Sequence, residues 1–254
     1  MPDPIEASMP AVLLEHAGSE AKPRPSKAPT IWEQLAGVCT EPAALFQRLA
    51  TTPRWGEALW VLIIVGWLMM TLWGLKVDVD ALQRPILEQS GRINATQIDQ
   101  AIAISSRFII PMGFVSVIVR NLFGVLSLGL VLWLFAASTD EPKKPSFLHA
   151  VSAATVPSLV SVPYTIMIGI MCLAKPIGGK IPERLAPSGL AYYLRPENPK
   201  LYGLLAQVDL FTIAYFVMLF LAVRYTMRLK PKDAGLCTAL AILLTVGWKV
   251  YFWV

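Results

Sequence analysis

Five long apolar stretches constrain this chain more than any other feature of its sequence. A helix needs about 20 mostly apolar residues to cross the hydrocarbon layer of a bilayer. The five stretches cover approximately residues 58–75, 108–137, 150–174, 201–223 and 236–254. The first shows no polar stripe, which a buried helix of a soluble protein usually carries. The sequence therefore predicts an all-α fold, a polytopic membrane bundle of five transmembrane helices.

The composition agrees with a membrane protein and argues against two other classes. Of the 254 residues, 55% are hydrophobic and 15% are charged, whereas soluble domains carry about 45–50% and about 25%. The net charge of +5 does not indicate a nucleic-acid partner, because no basic face with interleaved aromatic residues accompanies it. The basic residues lie at the ends of the apolar stretches, where lysine and arginine meet lipid head groups.

The positions of these basic residues predict an orientation. Short cytoplasmic connections of membrane proteins are rich in lysine and arginine. Residues of this kind surround the two short connections, namely Lys143, Lys144, Arg224, Arg228, Lys230 and Lys232. The N-terminus and both short connections are therefore expected in the cytoplasm and the C-terminus outside, in a multi-pass protein of the cell's inner membrane.

Three regions are predicted along the chain. Residues 1–30 are polar and proline-rich and are expected to form a disordered tail. Residues 31–56 are expected to form amphipathic helices at the inner membrane surface. The side chains predicted at this interface are Trp32, Phe46 and Trp55. Helices packed on the short cytoplasmic connections would explain the same pattern equally well. Residues 57–254 then form the five-span membrane domain.

The connection between the first and second spans contains helix-boundary signals. Gly91 suits the end of a helix, since glycine readily adopts the left-handed conformation found there. Asn94 followed by Gln97 matches a helix N-cap with its capping-box partner. A helix starting at this point would run directly into the second span.

Charged residues inside the predicted spans are the strongest indication of a functional site, because charge in hydrocarbon is costly. Arg120, next to Asn121, lies well inside the second span, Asp209 lies inside the fourth, and Lys249 lies near the end of the fifth. These residues would form either a polar path or a surface on which a partner subunit docks. The structural alternative is an ion pair, Arg120 with Asp209 or Asp209 with Lys249, that fixes the helix register.

Motifs that would indicate catalysis are missing from the sequence. It contains no glycine-rich phosphate loop, no nucleophile elbow and no paired carboxylates at a span end. The two histidines, His16 and His149, and the three cysteines are too scattered to predict a metal-ligand cluster. The chain is therefore expected not to be an enzyme and to hold neither a cofactor nor a metal.

Four stretches carry a family resemblance. They are LAGVCTEPAALFQRLATTPRWGEALWVLI (35–63), ILEQSGRINATQIDQA (86–101), PSFLHAVSAATVPSLV (145–160) and ENPKLYGLLAQVDLFTIAYFVMLFLAVRY (197–225). In this order they resemble bacterial members of the Yip family (Ypt/Rab-interacting protein). The resemblance implies five spans, a cytoplasmic N-terminus and an outer C-terminus, and it does not imply an activity. The family's acidic position falls on Asp209, and Ala214-Tyr215 replaces the tryptophan that often follows.

These features predict a non-enzymatic membrane protein that acts as a scaffold or accessory subunit of a larger membrane assembly, such as an export system. Its expected partners are the lipid bilayer and other membrane-protein subunits, and a homo-oligomer stays open. One alternative is a small transporter or channel whose path is lined by Arg120 and Asp209. Another is a membrane receptor that recruits a small GTPase through the segment before Trp55.

Overall fold

The computed structural model describes residues 28–91, 94–139, 144–185, 187–196 and 198–252. Within these ranges every regular element is a helix. The α-helices are α1 (Ile31–Thr40), α2 (Pro42–Leu49), α3 (Gly56–Gly74), α4 (Val79–Ser90), α5 (Ala95–Ser138), α6 (Phe147–Thr155), α7 (Ser161–Ala174), α8 (Leu190–Leu194), α9 (Pro199–Leu205), α10 (Leu210–Thr226) and α11 (Pro231–Phe252). Two 3-10 helices, Val156–Val160 and Pro182–Leu185, follow α6 and precede α8. The predicted tail lies outside the described residues except for residues 28–30.

Three helical segments of the described chain are long and apolar enough to cross a membrane. They are α3, α5 and the run Phe147–Ala174, which joins α6 to α7. This run contains the 3-10 helix with Pro157, a residue that has no N–H to donate to the helical ladder. The shorter helix α10 is also apolar. The predicted all-helical fold is therefore confirmed with three candidate membrane spans, and the count of five spans stays a prediction.

The helix α5 begins where the boundary signals place it. Asn94 accepts a hydrogen bond from the Gln97 backbone, and the Gln97 side chain accepts one from the Asn94 backbone. Gly91 ends α4 in the left-handed conformation, with a φ of 61°. From this start α5 continues unbroken for 44 residues, past Pro111, which is about 66 Å at 1.5 Å per residue. That length is more than twice the hydrocarbon thickness of about 30 Å.

Close helix contacts hold the long helices together and define two ends of the bundle. A Cβ on Gly66 of α3 would lie 2.8 Å from Cγ1 of Val117 on α5, and Gly74 faces Ile110 in the same way, so the two helices run antiparallel. We call the end where α3 begins and α5 finishes the α2 end, and the opposite end, where α4 lies, the α4 end. Farther along α5, Gly129 lies against Val151 of α6.

The two N-terminal helices pack on the protein at the α2 end. Phe46 and Leu49 of α2 are fully buried, and α2 contacts α10 more extensively than it contacts any other helix. The Thr226 hydroxyl at the end of α10 donates a hydrogen bond of 3.1 Å to the Phe46 carbonyl. The apolar face of α2 therefore contacts protein, and the location of residues 31–56 at the inner membrane surface stays a prediction.

The predicted fourth span is interrupted, which corrects its boundaries. The helix α9 ends at Leu205, and α10 begins only at Leu210. Asp209 stands between them as the N-cap of α10. Its carboxylate accepts hydrogen bonds from backbone N–H groups in the first turn of α10. A new helix therefore starts here, although most of the flanking residues are apolar.

Candidate functional site

The position of Arg120 along α5 follows from its packing on α3. Val117 faces Gly66, which lies near the midpoint of the 19-residue helix α3. Arg120 is three residues beyond Val117, or about 4.5 Å along the axis. The Arg120 backbone is therefore close to the middle of the layer that α3 would span.

The Arg120 side chain lies on the outward face of α5. Arg120 is exposed, and so are Ser116, Gly124 and Ser127, which share its face because residues three and four apart are neighbours on a helix. We call these four residues the Arg120 stripe. Exposed Val119 and Phe123 lie beside it. A Cβ on Gly124 would meet nothing within 4 Å, so this face is uncovered.

Asn121 and Arg120 have different environments, although they are neighbours in the sequence. The Asn121 amide donates to the Val117 carbonyl at 2.8 Å and is partly buried. In the described parts of the chain there are four ion pairs, and Arg120 takes part in none of them. No described carboxylate therefore compensates the charge of the guanidinium, which lies beside the exposed apolar side chains of Val119 and Phe123.

Asp209 is a buried helix cap and not a residue inside a continuous helix. It is 8% exposed, and its carboxylate accepts hydrogen bonds from the Phe211 N–H at 2.7 Å and the Thr212 N–H at 3.0 Å. The ring of Phe211 lies 5.6 Å from the ring of Tyr164. Tyr164 precedes the end of α7 at Ala174 by about 15 Å of helix. The cap is therefore enclosed well inside the bundle, where the positive end of the α10 dipole stabilises a carboxylate.

The structure does not bring Arg120 and Asp209 together. No ion pair between described residues contains either of them, and Asp209 is satisfied by its own helix. The ion pair considered from the sequence is thus not observed. Lys249 lies in α11, but its side chain is outside the described part of the chain, so its pairing with Asp209 stays a prediction.

The three predicted interfacial residues have three different environments. Trp32 on α1 is 77% exposed and is free to contact head groups. Trp55 is half-buried immediately before α3. Phe46 is 0% exposed because α2 presents it to the protein, and it therefore does not face lipid.

A shallow, open basic cavity at the α2 end was not predicted from the sequence. It measures about 390 Å³ and is lined by Gln47, Ala50, Arg224, Tyr225, Arg228 and Leu229. In the sequence these basic residues indicate only an orientation. The sequence gives no sign that α2 folds back onto the end of α10, and this contact creates the cavity.

At the α4 end, Arg84 forms one ion pair within α4 and a second that attaches α4 to α5. The Arg84 guanidinium lies 2.7 Å from the carboxylates of both Asp80 and Asp99. The hydrogen bond from Arg84 lowers the pKa of Asp80 below its ordinary value of 3.8. At the α2 end, hydrogen bonding to the Thr30 backbone and the charge of Arg48 lower the pKa of Glu33 in the same direction.

Known proteins add no further information about these features. The chain matches no protein-family model, no curated protein and no solved structure. The Arg120 stripe and the basic cavity are therefore interpreted from their own geometry.

Proposed function

We propose that this chain is a non-enzymatic integral membrane protein that acts as a scaffold or accessory subunit, and that it holds a partner subunit through the Arg120 stripe. The exposed position of Arg120 near the middle of the spanning layer carries this proposal. An arginine at the centre of a membrane helix costs about 2.5–3.5 kcal/mol or more. An acidic or polar group on a partner helix offsets that cost.

The stripe favours a partner other than a second copy of this chain. If two copies packed stripe against stripe about a two-fold axis, their Arg120 guanidiniums would face each other, and like charges repel. Among the described residues the one buried carboxylate, Asp209, already caps α10. A membrane helix of another subunit that carries a carboxylate therefore suits the stripe better. Gly124 leaves room for its backbone to approach closely.

The proposed topology has five spans, of which α10 and α11 are the fourth and fifth. Both helices are largely apolar, and they pack on each other. The α2 end is cytoplasmic in this proposal, because basic side chains are concentrated around it. They include Lys144, Arg224, Arg228, Lys230 and Lys232. Membership of the Yip family and a place in the inner membrane agree with this arrangement and rest on the sequence resemblance.

A matched pair of substitutions tests the proposal. Arg120→Leu removes the charge at the stripe, and Arg107→Leu makes the same change at another exposed position of α5, closer to the α4 end. After crosslinking in native membranes and gentle solubilisation, a stoichiometric membrane-protein partner should co-purify with the wild type and with Arg107→Leu, but not with Arg120→Leu. Arg120→Lys should retain part of the partner, because it preserves the charge.

Two results would contradict the proposal. The first is a wild-type chain that repeatedly purifies alone. The second is an Arg120→Leu variant that retains its partner in full, which would mean that the stripe is not the contact. Helical content measured by circular dichroism checks that each variant is folded.

A further inference from the structure

The cavity at the α2 end lies between the end of α2 and the end of α10. Gln47 and Ala50 line it from the α2 side, and Arg224, Tyr225 and Arg228 line it from the α10 side. The helices that form this cavity are different from α5, which carries the Arg120 stripe. The proposed partner contact therefore does not account for the cavity.

Among the residues that the structure describes, no carboxylate neutralises the two guanidiniums at this cavity. Neither Arg224 nor Arg228 belongs to any of the four ion pairs between described residues. Arg224 stacks on Tyr225 at 5.1 Å from the ring centroid, and Arg228 donates one hydrogen bond of 3.3 Å to the Ala50 carbonyl. A guanidinium has five N–H donors, so both side chains keep donors in the geometry that matches phosphate oxygens.

The backbone of Arg228 is strained in a way that shapes the cavity. Its φ of 58° lies in the left-handed region, which residues with a Cβ rarely adopt. This turn ends α10 and allows the side chain to reach back to Ala50. Strained residues of this kind cluster at binding sites.

The surface of α10 indicates which phosphate compound fits. Ile213 and Val217 are exposed, and Leu221 is half-exposed. Together with Arg224 they occupy one face of the helix, at spacings of four, four and three residues. A lipid whose acyl chain lies along this apolar face would place its head group at Arg224. A phosphate ion from solution has no acyl chain and would not contact the apolar face.

We propose that this cavity binds the phosphate of an anionic phospholipid from the leaflet at the α2 end. Arg224 and Arg228 bind the phosphate oxygens, the Gln47 amide is available as a further donor, and the lipid chains follow Ile213 and Val217.

Native mass spectrometry of the full chain in mixed micelles tests this site. The micelles contain phosphatidylcholine with increasing phosphatidylglycerol, and the bound lipids are counted. Arg224→Gln should weaken phosphatidylglycerol binding about tenfold, the effect of one lost charge-assisted hydrogen bond. Arg224→Lys should weaken it less. The matched control is Lys232→Gln, which removes one exposed charge at the same end outside the cavity.

Each outcome supports or contradicts the proposal. Selective loss in Arg224→Gln, with no competition from inorganic phosphate, supports the lipid site. Equal loss in Lys232→Gln would mean diffuse attraction between the basic surface and anionic head groups, and would overturn it. Competition by inorganic phosphate would assign the cavity to a soluble anion instead. The competition uses wild-type protein, so it remains decisive if a variant does not fold.

Discussion

A Gly129→Ala substitution should loosen the contact between α5 and α6. The added Cβ would lie 3.1 Å from the Val151 Cγ2 atom and 3.2 Å from the Val151 Cα atom. A side-chain end can rotate away from such a contact, but the α6 backbone cannot. Gly124, five residues earlier on the same helix, provides the control, because a Cβ there would meet nothing within 4 Å.

The magnitude follows from two opposing contributions. Overpacking a close-packed site costs about 1–3 kcal/mol, whereas replacing glycine by alanine in a helix contributes up to about 1 kcal/mol of stability. The helix contribution is common to both variants and cancels in their comparison. Gly129→Ala should therefore be less stable than Gly124→Ala by about 1–3 kcal/mol.

Reversible unfolding in detergent provides the assay. Circular dichroism during a titration from mild detergent into dodecyl sulfate gives the free energy of unfolding of each variant. If Gly129→Ala proved as stable as Gly124→Ala, the close approach of α5 to α6 would not be a feature of the folded protein. The reasoning from the contact would then be refuted.

Three further changes have expected outcomes. Asp209→Ala removes the cap of α10 and should lower the unfolding free energy by about 1–2 kcal/mol, with Asp209→Asn less affected in the same titration. The pKa of Asp80 is lowered, so its pair with Arg84 within α4 should be present at neutral pH and weaken as the pH falls below about 4. Hydrogen exchange of α4 measures this, and Asp80→Asn should exchange slightly faster than the wild type at neutral pH. Gly179→Ala would place a Cβ 2.6 Å from the Ala81 backbone and should make the loop around Gly179 more accessible to protease.

Local signals in the sequence predicted several boundaries of the fold correctly. The Asn94–Gln97 box and Gly91 act within a few residues of themselves, so they do not depend on how the chain packs. Apolar length likewise identifies α3, α5 and the run Phe147–Ala174, because the bilayer imposes the same minimum length on every span.

Features that depend on distant contacts were not predictable from the sequence. Phe46 is apolar in either environment, and only its contact with α10 decides that it faces protein. The break before α10 has a local signal, Asp209 with Thr212 at the third helical position, but the apolar residues around it suggested a continuous span. The cavity at Arg224 requires residues 47 and 224 to meet, and no pattern in the sequence encodes that meeting.

The unbroken length of α5 means that a single helix connects the two ends of the bundle. The turns of α5 between Ala95 and Ile110 lie beyond the end of α3. Arg84 of α4 contacts them through its ion pair with Asp99. The helix continues from Asp99 to Ser138 at the opposite end, and its hydrogen-bond ladder lacks one donor at Pro111. An assembly that contacts both ends of α5 therefore meets them about 66 Å apart, a distance set by the residue count of a single helix.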